Sequence, residues 1–193
     1  MAEDQVIQQP HILVIGGSAG SLEPILKILP GLQAGMNIAI IIVVHRKPSS
    51  DTILVDLLNS RLDVPVKEAE EKERLLRNHV YIVPADYHLL VEKDFSLSLD
   101  VSEKVNHSRP SIDVTFESVA EAALDKTIAV LLSGANADGT EGLKKVKAKG
   151  GYCIVQEPRS AEVDYMPRHA IEQVEPNKIL PAEEIAAWIN QLL

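Results

Sequence analysis

The 193-residue chain carries 19 Lys and Arg against 28 Asp and Glu, a formal net charge of −9. That balance argues against nucleic acid as its main partner, because phosphate contacts require a basic surface. A single cysteine rules out a disulfide framework and a cysteine metal cage, and a hydrophobic share of 46% suits one globular domain with a sizeable core.

The start, MAEDQVIQQP, is polar and acidic rather than a signal peptide, and residues 1–10 read as a short tail before a single domain over 11–193. HILVI (11–15) is a continuous apolar run, the mark of a strand buried on both faces. It ends in Gly16-Gly17-Ser18-Ala19-Gly20, after which Leu22, Ile25, Leu26 and Leu29 recur at helical spacing. NIAIIIVV (37–44) is a second buried strand, too short to span a bilayer, so the chain is expected to be cytoplasmic and not inserted in a membrane. Ile53, Leu54, Leu57 and Leu58 mark a second helix with Asp51 near its start. VPVKEA (64–69) and HVYIVPA (79–85) read as strands, separated by an acidic run, EAEEKE, that reads as a solvated face. YHLLVEK and SLSLDVS, joined by KDF, read as a β-hairpin. A helix from Ser111 to Leu124 follows, then the buried strand TIAVLLS (127–133), a helix over 138–148 that stops at Gly150-Gly151, and the strand YCIVQ (152–156). Cys153 in that strand reads as a small buried hydrophobe. A short helix near 166–173 and a terminal helix from about 182 complete the chain. The alternation predicts an α/β fold, doubly wound, with a mainly parallel sheet, helices on both faces and one antiparallel hairpin.

Open α/β sheets bind ligands beyond the carboxyl ends of their strands. Ser18 follows the first buried strand, His45 the second, and the loop GANADG with Asn136 and Asp138 the third. A serine, a histidine and an aspartate at one sheet edge are the members of a nucleophile, base and orienter system. Each also has a structural reading. Ser18 can be a turn residue or cap, His45 a strand-end histidine, and Asp138-Gly139-Thr140-Glu141 a capping box for the helix that follows. Together they point to catalysis: G-x-S-x-G between strand and helix fits a nucleophile elbow, although the order Ser, His, Asp differs from that of the α/β-hydrolases. A phosphate cradle fits less well, since no Lys-Ser/Thr follows G-x-x-x-x-G and the second strand ends in His45, not an acidic ribose ligand. The histidines at 11, 79, 88, 107 and 169 have no metal-site spacing, and no metal or organic cofactor is expected.

These residues resemble the catalytic domain of the chemotaxis protein-glutamate methylesterases, the CheB family, over nearly the whole chain. The similar segments are VIGGSAGS, VVHRKPSS, VKEAEEKERLLRNHVYIVPADYHLL, RPSIDVTFESVA, VLLSGANADGTEG and YMPRHAI, in that order. The resemblance implies hydrolysis of glutamate methyl esters on the cytoplasmic helices of methyl-accepting chemotaxis receptors, and allows deamidation of receptor glutamines. It implies Ser18 as nucleophile, His45 as general base and Asp138 as the residue that orients the histidine. Ala19 stands where the family usually has threonine, which removes any hydroxyl contact to the histidine. Ala135 stands where it usually has methionine, and can still offer a backbone N–H to an oxyanion. About ten residues precede the first strand, where family enzymes usually carry a receiver domain, so a stand-alone domain or a fragment is expected. Regulation would then fall to a separate receiver or histidine-kinase protein. To offset the net negative charge, several of Arg46, Lys47, Arg109, Arg159 and Arg168 are expected to form a positive rim for acidic receptor helices, with Arg109 and Arg168 as substrate contacts. A non-catalytic binding module of this fold and a general small-ester hydrolase are the alternatives. The intact Ser, His and Asp argue against the first, and the whole-chain resemblance against the second.

Overall fold

A computed structural model describes residues 11–46 and 51–193. In chain order they form β1 (His11–Gly17), α1 (Leu22–Ile28), β2 (Ile38–Val44), α2 (Asp51–Asn59), β3 (Val66–Glu68), β4 (Val80–Ile82), β5 (His88–Val91) and β6 (Leu97–Asp100). Then come α3 (Ile112–Ala123), β7 (Thr127–Leu131), α4 (Thr140–Ala148), β8 (Tyr152–Gln156), α5 (Tyr165–Val174), β9 (Lys178–Leu180) and α6 (Ala182–Leu192). Short 3₁₀ turns extend α1 and α3 and precede α5. The expected tail (1–10), Lys47 and the Asp51 side chain lie outside the described residues.

Seven strands pair in the order β3-β4-β2-β1-β7-β8-β9, every pair parallel. The pleat divides each strand between two cores. Ile12 and Val14 join Phe116 of α3, Leu143 of α4 and Met166 of α5 on one face. Leu13 and Ile15 join Ile25 of α1, Leu58 of α2 and Ile185 of α6 on the other. Burial on both faces is why the strands read as unbroken apolar runs. β9, three residues long at the sheet edge and only partly buried, has no such signature and escapes the sequence reading.

The hairpin forms as expected, but β5 and β6 make a separate two-stranded sheet. Thr115 Oγ1 of α3 donates to Leu89 O (3.1 Å) and Val91 N donates to Ser118 Oγ (3.0 Å), which docks the hairpin on α3. In the main sheet the winding reverses between β1 and β7, so the crevice of a doubly wound fold opens beyond the ends of those two strands. β1 can meet α3 closely there because residue 16 is glycine: a Cβ on Gly16 would lie 2.5 Å from Ile112 Cγ2 and 2.9 Å from Phe116 Cζ.

Candidate active site

Ser18 is the first residue past β1, at the reversal. Its N–H donates to Ser133 O beyond β7 (2.9 Å), and its carbonyl accepts the Ser21 N–H (3.1 Å) and Ser21 Oγ (2.7 Å), which turns the chain into α1. β1 and β2 pair in register up to Gly17 and Val44, and His45 N donates to Gly17 O (3.2 Å), carrying the ladder one step further. Ser18 and His45 are thus neighbours at the ends of adjacent strands. Both open on a cleft of about 240 Å³ whose apolar wall includes Leu22, Ile25, Val44, Ile53 and Leu54.

His45 Nε2 donates to Asp138 Oδ2 at 2.8 Å, with the carboxylate fully buried and the imidazole side chain 13% exposed. The opposite nitrogen, Nδ1, is left to accept a proton, with Ser108 Oγ 3.5 Å away. Asp138 Oδ2 also accepts the Ile112 N–H (2.7 Å), while Oδ1 accepts the Asp113 N–H (3.0 Å), Ser111 Oγ (3.0 Å), the Gly139 N–H (3.1 Å) and Asn106 Nδ2 (3.3 Å). Ser111 is the N-cap of α3, so the aspartate sits on a helix N-terminus whose free N–H groups and dipole favour an anion. Burial opposes its charge. The bond from His45 and the backbone donors of Asp113 and Ile112 outweigh burial and hold the carboxyl below the usual carboxylate range.

The capping box expected over Asp138–Glu141 is therefore corrected. α4 starts at Thr140 with Gly139 as N-cap and no side-chain cap, and Glu141 pairs with Lys144 (2.6 Å). Asp138 caps α3 instead, and the donors starting α4 go to Asp113 of α3: its Oδ1 accepts Gly139 N (2.9 Å) and Gly142 N (2.7 Å). The two aspartates exchange caps between two packed helices. Asn106 Nδ2 bridges them, 2.9 Å from Asp113 Oδ2 and 3.3 Å from Asp138 Oδ1. Asn106 and His107 form the tip of a two-residue turn, both at positive φ (50° and 64°), closed by paired backbone bonds between Val105 and Ser108. Asn tolerates that backbone region better than most residues. Sequence reasoning missed Asp113, Asn106 and Ser111. The available signal was a carboxylate at 113 in phase with Phe116 and Ala120, which are buried at i+3 and i+7.

Ala19 is exposed directly after Ser18, and its carbonyl accepts Ser133 Oγ (2.7 Å). Ala135 is exposed in the loop after β7, and among the described residues the N–H groups of Ala19 and Ala135 have no partner. Gly134 between them and the core is committed: its N–H donates to Val163 O (3.1 Å) and its carbonyl accepts from Met166 N (3.0 Å).

The expected positive rim is altered. Arg46 is no rim charge: its side chain is 7% exposed, and Nη2 donates to Glu68 Oε1 (2.8 Å) and Val83 O (2.9 Å), tying β2 to the ends of β3 and β4. Glu68 is therefore a partner of the core rather than part of a wholly solvated acidic run. Arg109 lines a polar cleft beside His45, but its Nη1 donates to Val101 O (3.0 Å) and Ser102 O (2.9 Å), holding a loop. Arg168 pairs with Asp164 at 2.7 Å on the exposed side of α5, and Arg159 is exposed. Cys153 is buried and its thiol is pushed up to about 12 by burial, which makes it inert at neutral pH. Among the described residues no three His, Cys, Asp or Glu side chains form a metal-ligand set, and no helix is long and apolar enough to cross a membrane.

Known proteins resemble this chain in sequence and fold. A protein of Leptospira interrogans is 47% identical over 180 residues, covering 93% of each chain. The protein-glutamate methylesterase/protein-glutamine glutaminase of Thermotoga maritima is 36% identical over 185 residues, 94% of this chain and 54% of that one. The crystal structure of the Thermotoga maritima CheB methylesterase catalytic domain superposes with a TM-score of 0.91 at 36% identity, covering 95% of this chain and 99% of that one. The family model for CheB methylesterase matches residues 13–189. The chain belongs to the CheB methylesterase family.

Proposed function

We propose that the chain is a serine hydrolase that removes methyl groups from glutamate methyl esters on chemoreceptors, in the cytoplasm. The observation that carries this reading is the buried Asp138 carboxylate bonded to His45 beside Ser18, at the reversal point of the sheet. Ser18 Oγ attacks the ester carbonyl while His45 Nδ1 takes its proton. Asp138 keeps the other ring proton on Nε2, so Nδ1 retains its lone pair, and it stabilises the imidazolium that forms. Ala19 N–H and Ala135 N–H are the donors for the developing oxyanion, so alanine in place of a larger side chain keeps that role. The imidazolium then protonates departing methanol, since methoxide is a poor leaving group. Water activated by Nδ1 attacks the acyl-serine and releases glutamate. An amide can enter the same cycle with ammonia leaving, which is the glutaminase activity named for the Thermotoga maritima relative.

The apolar wall beside Ser18 suits the apolar side chains that flank a reactive glutamate on an amphipathic helix. Methanol release from methylated receptor by wild type and by Ser18→Ala tests the assignment. Loss of release in the variant is expected, and equal release by both would end the catalytic reading. Activity on small esters without activity on receptor would favour a general esterase.

A further inference from the structure

We propose that Asp113 is a positioning residue for the reaction: it fixes where Asp138 sits and supplies a second negative charge that tunes the basicity of His45. The inference rests on the hydrolase reading above but concerns a residue that never meets substrate. Asp113 is 5% exposed and lies within one bridging amide of the carboxylate that holds the catalytic imidazole.

The geometry gives it two means of acting. The first is mechanical. Asp138 precedes α4 by two residues, and Asp113 binds Gly139 N and Gly142 N at the start of that helix. Those bonds set the position of the loop that carries Asp138 relative to α3, while Asp138 returns bonds to Ile112 N and Asp113 N. Each carboxylate fixes the helix that presents the other. The second is electrostatic. Two carboxyls that share one neutral bridging donor disfavour double ionisation. Burial, and then the charge of Asp138, push Asp113 up to about 6, whereas Asp138 is held low by its bond to His45 and its backbone donors. The proton of the pair therefore belongs to Asp113, and it leaves in the pH range where a histidine base must also be free.

The titratable groups facing this pair are few. Asp138 faces it from the loop after β7, with His45 beyond it at the end of β2. His88 of β5 accepts the Ser111 N–H (3.1 Å) on the hairpin side. From α4 the contacts are the non-titrating Gly139 and Gly142, and His169 of α5 meets Thr140 Oγ1 (3.4 Å). Ionised Asp113 adds negative charge near the imidazole and favours imidazolium, so losing that charge makes His45 a weaker base.

NMR titration of His45 in wild type and Asp113→Asn tests this without turnover. The amide oxygen of the variant keeps the two α4 donors, and the exposed Asn106 keeps its donor to Asp138 Oδ1 while giving up the one to residue 113. The His45 ring signals should titrate at lower pH in the variant than in wild type, and the acid limb of kcat/KM for ester hydrolysis should move to lower pH with them. A folded variant with both unmoved would overturn the inference, since a purely structural residue changes stability without moving either. The carboxyl ¹³C titration of Asp113 in the wild-type protein covers the case in which the variant does not fold. A midpoint near 6 coupled to His45 is expected, and titration of Asp113 below about pH 4, independent of His45, would overturn the inference. If wild type hydrolyses no ester, the hydrolase reading fails while the two titrations still decide the role of Asp113.

Discussion

Replacing Asp138 by asparagine separates the bond proposed to serve catalysis from the structural ones, because the two carboxylate oxygens carry different loads. Oδ1 accepts from Ser111 Oγ, Asp113 N, Gly139 N and Asn106 Nδ2, whereas Oδ2 accepts from His45 Nε2 and Ile112 N. Asparagine has one acceptor oxygen, and it serves most donors when placed at Oδ1. The NH₂ group then takes the Oδ2 position. There it faces the Ile112 N–H, a donor against a donor, and leaving that buried group without an acceptor costs about 1–3 kcal/mol. For a domain of this size each kcal/mol is roughly 2–4 °C in Tm, so the variant should stay folded at assay temperature. The effect at His45 is larger. Facing an NH₂, Nε2 becomes the acceptor and the proton moves to Nδ1, so the lone pair that must take the Ser18 proton is gone. Activity should fall about 10³–10⁴-fold, which is about 4–5.5 kcal/mol of transition-state stabilisation. Asp138→Ala, in contrast, strands the donors on both oxygens and should cost several kcal/mol of stability besides activity. The assays are methanol release, urea unfolding and ¹⁵N NMR of the His45 tautomer. A folded Asp138→Asn protein within tenfold of wild-type activity, or one whose ring stays protonated on Nε2, would refute this account of the site.

Two further outcomes follow from the packing and charge around the same crevice. A Cβ on Gly134 would lie 2.5 Å from Met166 Cε, 2.6 Å from Met166 Sδ and 3.1 Å from Ser18 Cβ. Met166 can yield but the Ser18 backbone is held by Ser133 O, so Gly134→Ala should displace the proposed nucleophile and lower kcat about ten- to a hundredfold, read by steady-state hydrolysis at saturating substrate. For stability against pH the two aspartates act in opposite directions. Asp113 is raised from 3.8 to about 6 on folding, so the folded state keeps a proton that the unfolded chain has released, and stability falls as pH rises through that window. Asp138 is lowered, so its contribution is present above the unfolded carboxylate value and is lost as pH falls through its depressed folded value. Urea midpoints between pH 4 and 7 should therefore decline less in Asp113→Asn than in wild type; equal slopes would contradict the assignment of the proton to Asp113.

Much of this molecule is legible in its sequence because the informative contacts are local or periodic. Strands buried on both faces announce themselves as apolar runs, and residues after parallel strands must gather at one edge, so the sequence alone puts Ser18, His45 and Asp138 at a common edge. Contacts that join distant segments through single polar atoms leave no such trace. Arg46 reads as a surface charge from its neighbours, yet it is buried against Glu68 and Val83. Asp138 looks like the cap of the helix it precedes, and local chemistry favours that reading. What overrides it is the close approach of β1 to α3 at Gly16, which brings the N-terminus of α3 to the loop after β7 and offers Asp138 more donors than its own helix does. The displaced α4 donors then need an acceptor, and Asp113 is the group that meets them. The buried second carboxyl is thus a consequence of placing the first one beneath His45. A site that stabilises its buried aspartate with the start of one helix has to provide for the start of the next, and in this chain that provision puts a titratable charge one amide away from the carboxylate that holds the proposed base.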